Sequence, residues 1–161
     1  MKPEEALDAL ATPERIGRVR EKLSSALLLD NGIARQLSRL DALKERHRRV
    51  SAAAGRDAEA DALARETEAR LLADYRALLI RQREIREMIG RLPEGRQRMV
   101  LSLRYLEGMP FFRIAMQMHY DERQIYRYHR AGLRRLAVIL ALEEAGREAF
   151  PGVSGSREKS D

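Results

Sequence analysis

Arg123, Gln124, Tyr126, Arg127, Arg130 and Arg134 fall within one short stretch, ERQIYRYHRAGLRRL, at residues 122–136. A guanidinium presents a rigid fork of donors that pairs bidentately with guanine, and a Gln amide pairs in the same way with adenine. Arg123, Gln124 and Arg127 are therefore candidates for contact with base edges. Glu122, just before them, can accept from cytosine. Arg113, Arg130 and Arg134 suit phosphates, which position a protein on a duplex without carrying sequence information. Tyr126 places a phenol among the cations. The chemistry implied is non-covalent recognition of DNA.

Side chains act together only if an element presents them on one face. Ile125, Tyr128, Gly132 and Leu136 follow the i, i+3, i+7, i+11 rhythm of a helix core stripe, with Leu133 beside it. The candidates take the opposite face of that helix. Asp121 is a good N-cap, and His119 with Tyr120 makes the turn before it. PFFRIAMQM opens at Pro110 and offers Phe111, Ile114, Ala115 and Met118 inward. RQRMVLSLRYLEGM places Met99, Leu103 and Leu106 on one face, with Val100 alongside, and Gly108 ends it. The expected helices are about 95–107, 110–118 and 121–142, with a tight turn before the last, which is helix-turn-helix spacing. Gly132 in mid-helix disfavours the helix by ~1 kcal/mol against Ala, which close approach of a crossing helix explains. Tyr105 and Tyr128 are read as core residues, and His119 in the turn and His129 beside the core stripe as structural or exposed.

Upstream, helix signals also dominate. Thr12 is an N-cap candidate with Pro13 at the first helical position. Asp30-Asn31-Gly32 reads as a break or kink. A second helix carries Ile33, Leu37 and Leu40 and ends near Gly55. Leu71, Leu78, Ile85 and Leu92 then recur every seven residues, with Tyr75, Gln82 and Ile89 four residues after the first three. This is a coiled-coil-like seam with one polar member, Gln82, and such a residue can fix register or partner number. The seam can close on the preceding helix or on a second copy of the chain. Pro93 ends the long helix. The expectation is an all-α fold: a helical hairpin or coiled-coil arm over 1–93, a helix-turn-helix domain over 94–145, and a polar, disordered tail over 146–161.

The formal charge of the 161-residue chain is +6, and its location matters more than its size. Between Arg96 and Leu136 stand nine Arg against three acids, Glu107, Asp121 and Glu122, so this window holds the whole surplus. The absence of Cys excludes disulfides and thiolate metal sites. The N-terminus lacks the apolar core of a signal peptide, and no apolar run approaches the ~20 residues of a membrane span. A cytoplasmic protein is expected. No nucleotide-binding, zincin or nucleophile-elbow motif is present. Neither enzyme activity, nor a cofactor, nor a metal is expected.

The segment RQRMVLSLRYLEGMPFFRIAMQMHYDERQIYRYHRAGLRRL resembles region four of sigma-70-type factors. It is more similar still to small phage and prophage proteins that join this module to an N-terminal helical hairpin, and phage late-gene transcriptional regulators share the module. VLSLRYLEGM and IAMQMHYDERQIYRYHRAGLRRL carry the resemblance. It implies sequence-specific DNA binding by a phage- or prophage-type transcriptional regulator. The residue before Ile114-Ala115 is often Glu in that family and is Arg113 here. That change suits a phosphate contact and weakens the analogy with polymerase docking. Nothing resembles the region that melts the −10 element, so a complete initiation factor is not expected. Candidate partners are double-stranded DNA, RNA polymerase, and a second copy of the chain through the long helices. The competing reading is a non-catalytic interaction protein, either a DNA-packaging subunit like the small terminase or a polymerase-binding adaptor.

Overall fold

The computed structural model describes residues 2–55 and 57–152, and these are helical with no strand among them. The helices are α1 (Pro3–Asp8), α2 (Pro13–Ser25), α3 (Leu29–Ala54), α4 (Ala58–Gly90), α5 (Arg96–Leu101), α6 (Phe111–Met118) and α7 (Glu122–Ala149). A 3-10 turn (Ala26–Leu28) joins α2 to α3, and a π-helical turn (Ser102–Leu106) extends α5. The chain forms two compact units. Residues 22–87 make one; residues up to Glu21 and from Met88 onward make the other. The expected arm over 1–93 is thus divided between them.

In the first of these, 22–87, α3 and α4 run antiparallel. Gln82 Nε2 donates to Asp30 Oδ1 at 2.8 Å, Lys44 pairs with Glu68 at 3.6 Å, and His47 meets Asp61 at 3.1 Å. Partners rise in number along one helix as they fall along the other. The seam therefore closes within one chain here, and its polar member is bonded across the hairpin. Leu71, Tyr75, Leu78 and Gln82 are half-buried and Ile85 is buried, as the heptad spacing demands. Gly55, at φ 76°, ends α3 in a conformation that favours glycine. The expected break at Asp30-Asn31-Gly32 is not there. These residues lie inside α3, and the irregular turn comes earlier, at Ala26–Leu28. Gly32 faces Leu78, which a side chain there would meet at 3.5 Å, so cross-hairpin packing outweighs local turn preference.

In the other unit, Thr12 caps α2: its Oγ1 accepts from Arg15 N at 3.3 Å. Val100, Leu103, Ile114, Ala115 and Ile125 form a buried cluster flanked by Met109, Phe111, Met118, Tyr120 and Tyr128. Met99 departs from expectation. It is 53 % exposed, whereas Leu101 is fully buried. The π turn that follows, with Glu107 N donating to Ser102 O at 3.2 Å, one residue beyond the α-helical partner, rephases the residues in it, so Tyr105 is buried and Leu106 only half-buried. The site Leu101 fills is the gap left by Gly132, where a Cβ would lie 3.2 Å from Leu101 Cδ1 and 3.5 Å from Gln97 Cβ. Helix α7 runs to Ala149, past the expected end, and so takes in the start of the expected tail. The remainder of that tail, 153–161, lies outside the described residues. Along its second half, Val138, Ile139 and Leu142 share a groove with Glu4 and Leu7 of α1. Nothing local in the sequence announces this pairing.

Gly132 is testable by itself. Gly132→Ala gains ~1 kcal/mol of helix propensity but presses on a fully buried Leu101, and overpacking costs ~1–3 kcal/mol. We expect a net loss of about 1 kcal/mol, read as a lower urea midpoint with an unchanged slope.

Candidate nucleic-acid interface

Two features set the angle between α6 and α7. His119 ends α6 in the left-handed region (φ 59°, ψ 42°), and Tyr120 N donates to Ala115 O at 3.0 Å. The left-handed region is uncommon for a residue with a Cβ, although His is among those enriched there. Asp121 then caps α7, its Oδ1 accepting from Gln124 N at 2.7 Å. The turn therefore comes at the expected residues and for the expected reason.

On α7 the side chains divide as the periodicity requires. Ile125, Gly132, Leu133 and Leu136 are buried, and Tyr128 is half-buried. Glu122, Arg123, Tyr126, Arg127, Arg130 and Arg134 are exposed, as is Arg113 on α6. Gln124 differs from the others in being half-buried. The Gln124 amide, with smaller contributions from Tyr120 and Arg96, holds the Tyr128 phenol below its usual pKa range against the opposing effect of burial.

On the long helices several arginines are paired, Arg48 and Arg49 with Glu45, Arg70 with Glu66 and Arg83 with Glu87, and Arg91 meets Glu143. Among the described residues no carboxylate lies within 4.0 Å of Arg113, Arg123, Arg127, Arg130 or Arg134. Arg134 lies farther along α7, beside the groove that also holds Glu4 and Asp8.

Behind the exposed face is an aromatic support that sequence spacing does not reveal, because its members sit on different elements. The Tyr126 ring packs on Phe111 with centroids 4.6 Å apart. Phe111 in turn receives the Arg104 guanidinium at 4.8 Å and the edge of His129 at 5.0 Å. His129 Nε2 and the Tyr105 hydroxyl share a buried hydrogen bond of 2.7 Å. Burial, and then the positive charges of Arg20, Arg104 and Arg130, lower the His129 pKa to about 4. The imidazole is accordingly neutral near pH 7 and serves as a core residue. Arg104 is also fixed by donation to Met109 O at 3.3 Å. A second feature missed in the sequence is the exposed apolar pair Phe112 and Met116 on α6, at 56 % and 72 % exposure.

Residues 82–136 match the family model for sigma-70 region 4. The matched span takes in the end of α4, all of α5 and α6, and the first half of α7. The C-terminal module is a sigma-region-4-like helix-turn-helix, with α6 and α7 as its two helices. Comparisons with curated proteins and with solved structures give no match. No helix among the described residues is long and apolar enough to cross a membrane.

Proposed function

We propose that the protein is a sequence-specific DNA-binding transcriptional regulator of phage or prophage type. The observation that carries this reading is the outer face of α7, where Arg123, Arg127 and Arg130 stand exposed and without carboxylate partners on the second helix of a helix-turn-helix. In that geometry the start of the second helix enters the major groove and the first helix crosses the backbone. Arg123 and Arg127 then read base edges. Gln124 does so with its side-chain amide, and Glu122 accepts from cytosine. Arg113, Arg130 and Arg134 neutralise phosphates, and the module docks by positioning before it reads. The protein acts without catalysis or cofactor, in the cytoplasm. The pairing of an α-helical hairpin with this module supports the phage-type assignment. The hairpin is the surface for further partners, a second copy of the chain or RNA polymerase.

The test is an unbiased selection of bound duplexes at near-physiological salt. A reproducible motif is expected. Recovery of no motif, together with a closed ring of many subunits in solution, would instead favour a DNA-packaging subunit; no motif with capture of polymerase would favour an adaptor. On the selected site, Arg127→Ala should weaken binding by ~1–3 kcal/mol and relax preference at one position. Arg134→Ala should weaken all sequences alike. Titration of duplexes carrying each base at that position distinguishes the two patterns.

A further inference from the structure

The cationic face has an apolar centre. Arg123, Tyr126 and Arg130, at i, i+3 and i+7 on α7, line a shallow depression. Its aromatic member is the Tyr126 ring, 43 % exposed, with an arginine one turn away on either side along the helix. An exposed Tyr normally samples several rotamers. Here the ring packs on Phe111 with centroids 4.6 Å apart, and Phe111 in turn meets Arg104 at 4.8 Å and His129 at 5.0 Å. The phenol ring is thus fixed in place before any ligand arrives, which lowers the entropy cost of using it.

We infer that this depression receives the 5-methyl group of a thymine in the major groove, with Arg123 and Arg130 straddling it. The inference rests on the DNA-binding reading above and names what that site recognises beyond hydrogen bonding. Three observations lead to it. Arg123 and Arg130 are exposed and have no carboxylate within 4.0 Å among the described residues, which suits the polyanion that the helix-turn-helix binds. The depression between them carries an aromatic ring, and the thymine methyl is the one apolar group that a base pair offers in the major groove. Tyr126 lies one turn from Arg123 and beside Arg127, the positions that face base edges, so its ring stands at the same level as they do.

Replacing thymine by uracil removes that methyl and leaves every hydrogen-bonding group in place. The experiment takes the duplex motif recovered by selection and exchanges each thymine singly for uracil. Binding is measured at one salt concentration for the full-length protein and for its Tyr126→Ala and Tyr126→Phe variants, with circular dichroism confirming that each is folded. At one position uracil should weaken wild-type binding roughly fourfold, the worth of about one buried methyl. Tyr126→Ala should bind the thymine and uracil duplexes equally, whereas Tyr126→Phe, which keeps the ring, should still discriminate. A reproducible motif in which no thymine-to-uracil change weakens the wild type would overturn the inference and leave the DNA-binding reading intact. So would a Tyr126→Ala protein that discriminates as well as the wild type. Absence of any sequence preference would remove the sequence-specific reading, and this inference with it.

Discussion

Raising the salt from ~50 to ~200 mM should weaken duplex binding by roughly 40-fold if Arg113, Arg130 and Arg134 each neutralise one phosphate. The expected log–log slope is then near −2.7, because each phosphate neutralised contributes about −0.9. The premise is structural: these arginines are exposed and have no carboxylate within 4.0 Å among the described residues, so they are free to neutralise phosphates and release the counterions condensed on the DNA. Fluorescence anisotropy over that salt range gives the slope directly. Arg130→Ala should make it shallower by about one. A slope near zero would mean that these side chains do not meet phosphate. Arg134 is the residue most open to a smaller effect, since Glu4 and Asp8 border the same groove.

Acid should weaken the C-terminal unit through a single buried imidazole. The His129 pKa is lowered to about 4, first by burial and then by Arg20 from α2, Arg104 from the π turn and Arg130 from α7. In the unfolded chain the ring titrates near ~6.5. Above that pH neither state is protonated and the contribution to stability is whole. Between the two values the unfolded chain takes up a proton that the folded one refuses, so stability falls as the pH drops. At pH ~4.5 the loss amounts to about 2–3 kcal/mol. Carboxylates titrate in the same region, so the measurement is a difference: urea unfolding of wild type and His129→Gln at pH ~7.5 and ~4.5. The variant should be weaker at the higher pH, because the bond to Tyr105 is altered, yet lose less on acidification. Equal losses in both proteins would show that His129 is not the responsible group.

What the sequence disclosed and what it concealed divide by range. Asp121 as cap, Thr12 as cap, Gly55 as terminator and the stripe Ile125, Gly132 and Leu136 were legible because each depends on neighbours within a turn or two. The exposed arginines followed from that stripe, since fixing the inward face fixes the outward one. Asn31-Gly32 misled because its turn preference is local while the contact of Gly32 with Leu78 is not. Met99 is exposed although it shares a stripe with the buried Leu103, and Leu101 is buried against Gly132, a contact between elements that local spacing does not mark. The stack of Tyr126 on Phe111 and the bond from Tyr105 to His129 join residues of separate elements, which periodicity cannot pair. For the same reason the association of α1 with α7 had no signal.

The single hydrogen bond from Gln82 to Asp30 has a consequence for how the hairpin assembles. Apolar heptads resemble one another, and two helices lined with them can zip up displaced by seven residues almost as well as aligned. Displacement here would leave Asp30 facing Tyr75 or an aliphatic residue in place of an amide, and would strand Gln82 against hydrocarbon. The bond lies at the exposed edge of the seam, so its loss alone is a modest cost, but a shift by seven residues would also part Lys44 from Glu68 and His47 from Asp61. Together these polar contacts act as the hairpin's ruler, marking one alignment along a repetitive track.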